Sequence, residues 1–346
     1  MIDQTNPQPE AKPNCKDCGS PAVVKFGTYK GVQRYYCKSC KRKFKADDSL
    51  FHMKVSAAHI SSALSMYYRG MSINDIRLNM KQEHGYYPSK AVVYYWVDKY
   101  TDNAIKHFRD VHPKEIGTNW IADECVLDVD GRHVWMWDII DANTRFLLAS
   151  RVSFNRGAHD AQMLMEEAKR KAGKSPKTVT TDKLNAYLDG VELTFGSETE
   201  HKQSKPFTNA EDSTNKIERW HSTLKERTKV MRGLKDIGSA IQFTDGFVVY
   251  YNFFRPHEGL DGRTPAEAAG IDYTVKNWAD LSRLPVSKRA ELKTHDQTLR
   301  LTTKEPNLEP KIPKNVRDIL GMGHNRVLGA NGMHALTGRG GIGDDN

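Results

Sequence analysis

Residues 119–141, NWIADECVLDVDGRHVWMWDIID, contain the pattern that decides the fold. Two strand-like runs, rich in Val, Ile and Trp, flank the pair Asp130-Gly131, which is a strong signal for a tight β-hairpin turn. A third run, TRFLLASRVS, follows at residues 144–153. The stretch therefore predicts three consecutive strands.

Helix-like and strand-like segments alternate after this hairpin. Residues 158–172, AHDAQMLMEEAKRKA, predict a helix that ends at Gly173. A fourth strand, KTVTTD at 177–182, leads into the helix-like LNAYL, and further amphipathic helices are predicted over 211–233 and 237–254. The order βββαβα is typical of a mixed α/β fold.

Three carboxylates in this region have positions suited to metal binding, namely Asp123, Asp182 and Glu218. The two-residue period of a strand places Asp123 on the apolar face and Glu124 on the opposite face. Because a buried carboxylate is costly unless it is paired or binds a metal, we expect Asp123 rather than its acidic neighbours to be a ligand. For Asp182 alone, a helix N-cap is the alternative.

Glu218 stands at the head of a basic stripe on the predicted helix. His221, Lys225 and Lys229 recur at helical spacing on the same face. A carboxylate followed by cations can bind a metal while the cations contact phosphates, although a solvated, salt-bridged face is the alternative. Converging from two strands and a helix, the three carboxylates would hold two Mg²⁺ (or Mn²⁺) ions about 3.5 to 4 Å apart.

Four cysteines precede this region as two CxxC pairs: Cys15 and Cys18, then Cys37 and Cys40. Each CxxC turn can bring two thiolates to one tetrahedral metal, so the spacing predicts one structural zinc ion in a zinc ribbon over residues 13–48. A redox CxxC is the alternative. Residues 1–12, polar and without periodicity, predict a disordered lead.

Basic and aromatic residues are interleaved in the predicted ribbon. Such a mixture suits a phosphate backbone and stacked bases, whereas a solvated basic face is the alternative. The predicted DNA-binding residues of this segment are Arg34, Lys41, Arg42 and Lys43.

Residues 55–112 show three helix-like apolar stripes, separated at Gly70 and at the loop HGYYPSK. This arrangement favours a helix-turn-helix domain whose last helix offers Ser89, Lys90 and Tyr94 to DNA. A three-helix packing unit without a DNA role is the alternative.

The composition fits a polyanionic partner. The 346 residues carry 52 Lys and Arg against 43 Asp and Glu, a net charge of +9. No stretch approaches the ~20 apolar residues that span a bilayer, and the first residues lack the apolar stretch of a secretory signal. We therefore expect a cytoplasmic, nucleoid-associated protein without a membrane partner. Residues 272–346 form an extension of open role, glycine-rich and disordered from about 321.

From Cys15 to Ile271 the sequence resembles DDE-type transposases of insertion sequences. The residues that carry the resemblance are Trp120, Asp123, Glu124, Thr181, Asp182, Tyr187, Asn215, Glu218, His221, Lys225, Arg227, Tyr251, Asn252, Arg255, Pro256, His257, Thr264, Pro265 and Ala268. The thirty-five residues between Asp182 and Glu218 are the spacing that such cores share with retroviral integrases.

The resemblance implies an RNase H-like catalytic core over residues 115–271, a mixed sheet flanked by helices, with Asp123, Asp182 and Glu218 as the catalytic, metal-binding triad. It implies cleavage at element ends and joining of the 3′ ends to target DNA. His221, Lys225 and Arg227 would then contact DNA near the scissile phosphate.

By the same resemblance, the zinc ribbon and the helix-turn-helix domain would recognise the terminal inverted repeats, and the protein would act as a homodimer or larger assembly. A non-catalytic DNA-binding regulator derived from a transposase, and an RNase H-like nuclease, are the alternatives.

Overall fold

The computed structural model describes residues 12–45, 47, 50, 53, 55–204, 213–231 and 233–284, which all belong to one compact unit. The predicted disordered lead, apart from residue 12, and the glycine-rich end from about 321 lie outside the described residues. The predicted extension 272–346 is described only as far as residue 284.

A small antiparallel sheet forms the N-terminal part. Its strands lie in the order β1-β2-β3 and are β1 (Val23–Tyr29), β2 (Val32–Cys37) and β3 (Lys43–Lys45). Its core is limited to Cys15, Val23, Tyr35, Cys37 and Phe44. So few apolar side chains cannot offset the loss of chain entropy, and a segment of this size needs a further source of stability.

Three helices follow: α1 (Ala57–Tyr68), α2 (Ile73–His84) and α3 (Lys90–Phe108). The chain starts each of them with a serine, at positions 56, 72 and 89, whose side chain accepts a backbone N–H of the first turn. Gly85 ends α2 in the left-handed conformation that glycine adopts without strain. The three predicted helices are present and are separated at Gly70 and at the loop HGYYPSK, as expected.

A five-stranded sheet lies in the middle of the chain. Its order is β6-β5-β4-β7-β8, and its strands are β4 (Asn119–Val129), β5 (Arg132–Asp141), β6 (Leu147–Ser153), β7 (Thr178–Thr181) and β8 (Glu200–Gln203). Asp130 and Gly131 both have positive φ, as the predicted hairpin turn requires. Strand β8 was absent from the sequence prediction because its four residues, EHKQ, are polar.

The first three strands of this sheet are antiparallel, whereas β7 runs parallel to β4 and β8 runs parallel to β7. A mixed sheet with this order and these directions, flanked by helices, is the RNase H-like arrangement. The predicted fold class is therefore confirmed.

Consecutive residues of β4, from Trp120 to Ala122, and all residues of β6 are buried. Because successive strand residues point to opposite faces, both faces of the sheet are covered. The other described α-helices are α4 (Ala158–Ala172), α5 (Asn185–Phe195), α6 (Asn215–Val230), α7 (Ile237–Val249), α8 (Pro265–Ala268) and α9 (Trp278–Arg283). Helix α4 packs against β5 and β6, and α6 packs against β4 and β5.

The predicted single helix over 237–254 is in fact two elements. Helix α7 ends at Val249, and a π-helix continues over Tyr250–Phe254. This π-helix carries Asn252, whose side chain bonds the backbone of β6. Isolated π turns often occur where a side chain must be turned toward a specific partner.

The helices α1 to α3 share one hydrophobic cluster with the sheet and its helices. Tyr68 of α1 stacks on Trp278 of α9, with ring centroids 4.7 Å apart, and its hydroxyl bonds Thr101 of α3 at 2.6 Å. Gly246 of α7 lies against the side chains of Tyr68 and Thr101. Division of this part into a domain over 55–112 and a core over 115–271 stays a prediction.

Candidate active site

The neighbouring strands β4 and β7 stop pairing partway along β4, which leaves an open edge inside the central sheet. The pairing of β4 with β7 extends along β4 only as far as Ile121, and β7 ends one residue before Asp182. Asp123 and Glu124 lie two and three residues after Ile121 along β4, beyond the last pair. The end of β7 thus leaves room for side chains of β4 to approach Asp182.

Three carboxylates meet at this edge. Single oxygen atoms of Asp123, Glu124 and Asp182 lie within 4.8 Å of one another. Like charges at this spacing repel each other strongly unless a cation lies between them or one carboxylate is protonated. An all-oxygen carboxylate set is also the kind that Mg²⁺ and Mn²⁺ prefer, so these residues fit a divalent metal.

Glu124 is the most enclosed of the three carboxylates, with 2% of its side chain exposed. The hydroxyl of Tyr187 donates to its Oε2 at 2.7 Å, and Arg156 donates to its Oε1. Burial raises the pKa of Glu124, and these two donors act against that rise. The bonds fix the orientation of the carboxylate.

The exposure of Asp123 and Glu124 is the reverse of what strand alternation predicts. Alternation placed Asp123 on the buried face and Glu124 on the other, yet the Asp123 side chain is 17% exposed and the Glu124 side chain is 2% exposed. Alternation separates buried from exposed residues only where one face of a sheet is in water. Here both faces are covered, so alternation does not identify the ligand.

His221 lies between two carboxylates. Its Nδ1 is 3.3 Å from Oδ2 of Asp123, and its Nε2 is 3.0 Å from Oδ2 of Asp138. Burial acts to lower the pKa of His221, but the hydrogen bonds to Asp123 and Asp138 outweigh it and raise the pKa to about 9.

Glu218 lies in the first turn of α6 and is exposed. Its Oε1 accepts a hydrogen bond from Thr214 at 2.6 Å, and it does not belong to the carboxylate group formed by the other described acids. Residues 205–212, which lead into α6, lie outside the described residues. The role of Glu218 in the triad therefore stays a prediction.

The three residues expected to contact DNA from α6 have different environments. Lys225 is exposed, whereas His221 and Arg227 are 5% and 3% exposed. Arg227 lies over the ring of Tyr67, at 4.0 Å from its centroid, and lines a cavity of about 530 Å³ beside α3 and α7. The geometry favours a DNA contact for Lys225 and gives His221 a role inside the protein.

The four cysteines of the N-terminal sheet come together. The Sγ atoms of Cys15 and Cys40, and those of Cys18 and Cys37, are 3.6 Å apart in each pair, and all four lie within 4.8 Å. A tetrahedral site with Zn–S bonds of about 2.3 Å needs Sγ atoms about 3.8 Å apart. The four thiols therefore fit zinc.

Backbone geometry prepares at least one of these thiols for a metal. A hydrogen bond from the backbone of Cys40 lowers the pKa of Cys37, which favours the thiolate form that binds a metal. Cys125, the fifth cysteine, is buried in β4 and lies outside the cluster.

The predicted DNA-binding residues of the ribbon have varied partners. Lys43 lies over the ring of Phe26 at 4.0 Å, and Arg34 over the same ring at 5.6 Å. Arg42 pairs with Asp17 at 3.3 Å, and Lys41 lies in a turn with positive φ. Lys43 and Arg34 thus form a cation–aromatic surface around Phe26, while Arg42 also serves the ribbon itself.

On α3, Ser89 caps the helix through a bond to the N–H of Val92. Lys90 and Tyr94 are exposed, and the Tyr94 side chain is among the most exposed large apolar groups described. Their DNA contacts stay predictions.

Two residues of the site were given no role by the sequence analysis, namely Asp138 and Arg156. A signal for Asp138 existed. The two-residue turn at Asp130-Gly131 fixes the hairpin register, and that register places Asp138 directly opposite Asp123. For Arg156 there was no local signal, since a loop after β6 brings it to Glu124.

Within the described ranges, no helix combines the length and the apolar character needed to cross a bilayer.

Residues 117–257 match the family model of a DDE domain, of the transposase type named after IS240. The matched segment is less than half of the chain, but it contains all five strands of the central sheet and all three predicted triad residues. No curated protein matches the chain at a significant level.

Solved integrase structures are similar at low identity. The HTLV-2 integrase catalytic core, in complex with magnesium, is 13% identical over 46% of this chain and 96% of its own, with a TM-score of 0.34. The BIV integrase core is 15% identical over 42% and 91%, with a TM-score of 0.33. The simian T-cell lymphotropic virus intasome, in complex with a PP2A regulatory subunit, is 10% identical over 62% and 78%, with a TM-score of 0.36.

At TM-scores this low, superposition does not establish a shared fold. The RNase H-like assignment rests on the strand order and strand directions of this chain, and the family model covers the same residues. Residues 117–257 therefore match a DDE domain of the transposase type and form an RNase H-like sheet.

Proposed function

We propose that the protein is a DNA transposase that cleaves DNA at the ends of its element and joins the freed 3′ ends to target DNA. The observation that carries this proposal is the meeting of Asp123, Glu124 and Asp182 at the open edge of the sheet of a DDE domain. Strand cleavage and strand joining are the same kind of phosphoryl transfer: water attacks the phosphate in cleavage, and the freed DNA 3′-hydroxyl attacks a target phosphate in joining, with a DNA 3′-oxygen leaving each time. One site can therefore serve both.

The carboxylates would hold two Mg²⁺ or Mn²⁺ ions, which supply activation of the attacking oxygen and stabilisation of the leaving oxygen. Asp123 and Asp182 supply ligands from adjacent strands, and Glu218 supplies the third from α6. Glu124, fixed by Tyr187 and Arg156, adds negative charge at the same edge. Lys225, exposed on α6 two turns beyond Glu218, would contact the DNA phosphates.

The N-terminal modules would recognise the element ends. The cation–aromatic surface around Phe26 and the exposed Lys90 and Tyr94 of α3 suit phosphates and base edges. One structural zinc ion would hold the ribbon together. Two DNA ends must be brought together before joining, so the active form would be a homodimer or a larger assembly on DNA, associated with the nucleoid.

The test is strand transfer by the full chain. The probe is a DNA duplex that carries the inverted repeat found beside the gene, with its 3′ end already exposed, mixed with a target plasmid and Mg²⁺ or Mn²⁺. Asp123→Asn, Asp182→Asn and Glu218→Gln should each lower joining by at least about 100-fold, because an amide keeps the shape but loses the charge. Asp189→Asn and Glu226→Gln, exposed acids on α5 and α6, are the matched controls.

Full activity of Asp182→Asn would refute the proposal. Loss of activity in Glu124→Gln together with full activity of Glu218→Gln would replace Glu218 by Glu124 as the third ligand. Specific binding to the repeat without any cleavage or joining by the wild type would favour the regulator, a reading that the position of Glu218 outside the carboxylate group also supports.

A further inference from the structure

Asp138 is a buried acid beside the carboxylate group. It stands directly opposite Asp123 in the antiparallel pair of β4 and β5, and directly opposite residues of such a pair have neighbouring side chains on one face. Its residue surface is 0% exposed. A charge buried so completely is costly unless it has a partner.

The described partner of Asp138 is His221. The Nε2 of His221 is 3.0 Å from Oδ2 of Asp138, while Oδ1 of Asp138 has no hydrogen-bond partner in the part of the chain that the structure describes. The other ring nitrogen, Nδ1, faces Oδ2 of Asp123 at 3.3 Å. Carboxylate oxygens only accept, so the hydrogen bond to Asp138 is donated by Nε2, and Nδ1 is the ring atom in contact with Asp123.

These contacts link Asp138 to Asp123 through His221. Asp138 and the helix α6 fix the imidazole, and the imidazole holds one oxygen of Asp123. The other oxygen of Asp123 is left for a metal. Residues that orient metal ligands in this way typically change metal affinity by 10- to 100-fold when they are replaced.

We propose that Asp138 and His221 are positioning residues that set the orientation of Asp123 for metal binding. The inference rests on the proposed function, since it takes Asp123 as a metal ligand. A purely structural role, in which the pair only fastens α6 to the sheet, would affect stability but not metal affinity.

The experiment measures Mn²⁺ binding to the zinc-loaded full chain without DNA, by electron paramagnetic resonance of free Mn²⁺. Asp138→Asn and His221→Ala should each raise the dissociation constant at the carboxylate site by about 10-fold or more. The double variant should match His221→Ala alone, because Asp138 acts through His221 and the effects cannot add. His221→Asn, which keeps a donor near the position of Nδ1, should recover part of the affinity.

Asp160→Asn is the matched control, since Asp160 is a buried acid of α4 that is 1% exposed and lies outside the carboxylate group. It should change the free energy of unfolding without changing Mn²⁺ affinity. Circular dichroism checks the fold of each variant, and His221→Asn replaces His221→Ala in the comparison if the alanine variant does not fold.

The possible failures are distinct. If the wild type binds Mn²⁺ and Asp182→Asn abolishes that binding, but Asp138→Asn leaves the affinity unchanged, the positioning role is refuted and the metal site stands. Additive effects of the two substitutions would also refute it. If the wild type has no Mn²⁺ site that depends on Asp182, the proposed function and the positioning role both fail.

Discussion

Asn252 of the π-helix pairs with the backbone of Leu147 as another strand would. Its Oδ1 accepts from the N–H of Leu147, and its Nδ2 donates to the carbonyl of the same residue, both at 3.0 Å. Leu147 begins β6, which is an edge strand of the central sheet. One side-chain amide thereby satisfies the two backbone groups that the edge would leave unpaired.

Replacement of Asn252 by alanine should lower the free energy of unfolding by about 2 to 4 kcal/mol, because it leaves a buried N–H and a buried carbonyl unpaired. Urea denaturation measures this difference. Asn74→Ala, at an exposed position of α2, is the control and should change stability by less than about 1 kcal/mol. A loss no larger than the control's would show that water satisfies the backbone of Leu147 equally well.

Gly246 should not tolerate a methyl group. A Cβ at this position would lie 2.4 Å from Cγ2 of Thr101 and 2.5 Å from the hydroxyl of Tyr68, and a hydrogen bond holds those two side chains together. Gly246→Ala should therefore destabilise the protein by about 1 to 3 kcal/mol, although alanine is the better helix former. Thermal unfolding measures the change.

Gly238→Ala in the same helix is the matched control, since a Cβ there meets only Oδ1 of Asp236 at 3.3 Å. It should be neutral or slightly stabilising. Adding Thr101→Ser to Gly246→Ala should recover part of the loss, because serine lacks Cγ2 but keeps the hydroxyl. Equal effects of the two alanine substitutions would mean that α7 can move away from α1 and α3 at little cost.

The cysteine cluster gives a prediction about metal content. The wild type should contain one zinc ion per chain by elemental analysis, and Cys37→Ser should contain almost none. Cys125→Ala removes a cysteine outside the cluster and should keep the zinc. Under the proposed function, Cys37→Ser and chelation should also abolish specific binding to element ends while the central sheet stays folded.

Specific binding that persists after chelation of zinc would show that the zinc ribbon is not needed to recognise the element ends. Retention of zinc in Cys37→Ser would show that the remaining three thiols suffice.

His257 should make stability fall in mild acid. Burial, together with the charges of Arg255 and Arg145, lowers the pKa of His257 to about 4. The unfolded chain, with an ordinary histidine pKa near ~6.5, takes up this proton first as the pH falls. The stabilising contribution of neutral His257 is therefore complete above about pH 6.5 and is lost as the pH falls toward 4.

Measurement of unfolding free energies at pH 7 and pH 4.5 checks this. The loss between these pH values should be smaller in His257→Gln than in the wild type, by about 1 to 2 kcal/mol after allowance for partial exposure. His133→Gln, at an exposed position of β5, should keep the wild-type loss. The same pH dependence in all three proteins would assign the acid sensitivity to other groups.

Local patterns predicted most of the fold. The apolar stripes of α1 to α3, the Asp130-Gly131 turn and the CxxC spacing are read within a few residues, and each has the structure expected of it. Strand β8 escaped because a short polar strand depends on its partner β7 rather than on its own residues. The π-helix escaped because its hydrogen bonds differ from those of α7 by one residue, which apolar periodicity does not resolve.

The site was predicted less completely than the fold. Asp123 and Asp182 were singled out by strand alternation, spacing and resemblance, but the bonds from Tyr187 and Arg156 to Glu124 depend on contacts between residues far apart in sequence. The burial of Glu124 depends on helices that cover the second face of β4, which the strand's own sequence does not reveal. Such contacts follow from the assembled fold and not from any one segment.

Tyr68 contacts Trp278 and Thr101, and the helices α1 to α3 share one hydrophobic cluster with the central sheet. The three helices and the sheet therefore pack as one unit. If α3 recognises DNA and the carboxylates cleave it, the distance between the recognition helix and the cleavage site is fixed by the fold. The number of base pairs between the recognised sequence and the cut is then a property of protein shape. Element ends with base pairs added or removed in that interval would be bound normally and cut at the wrong phosphate.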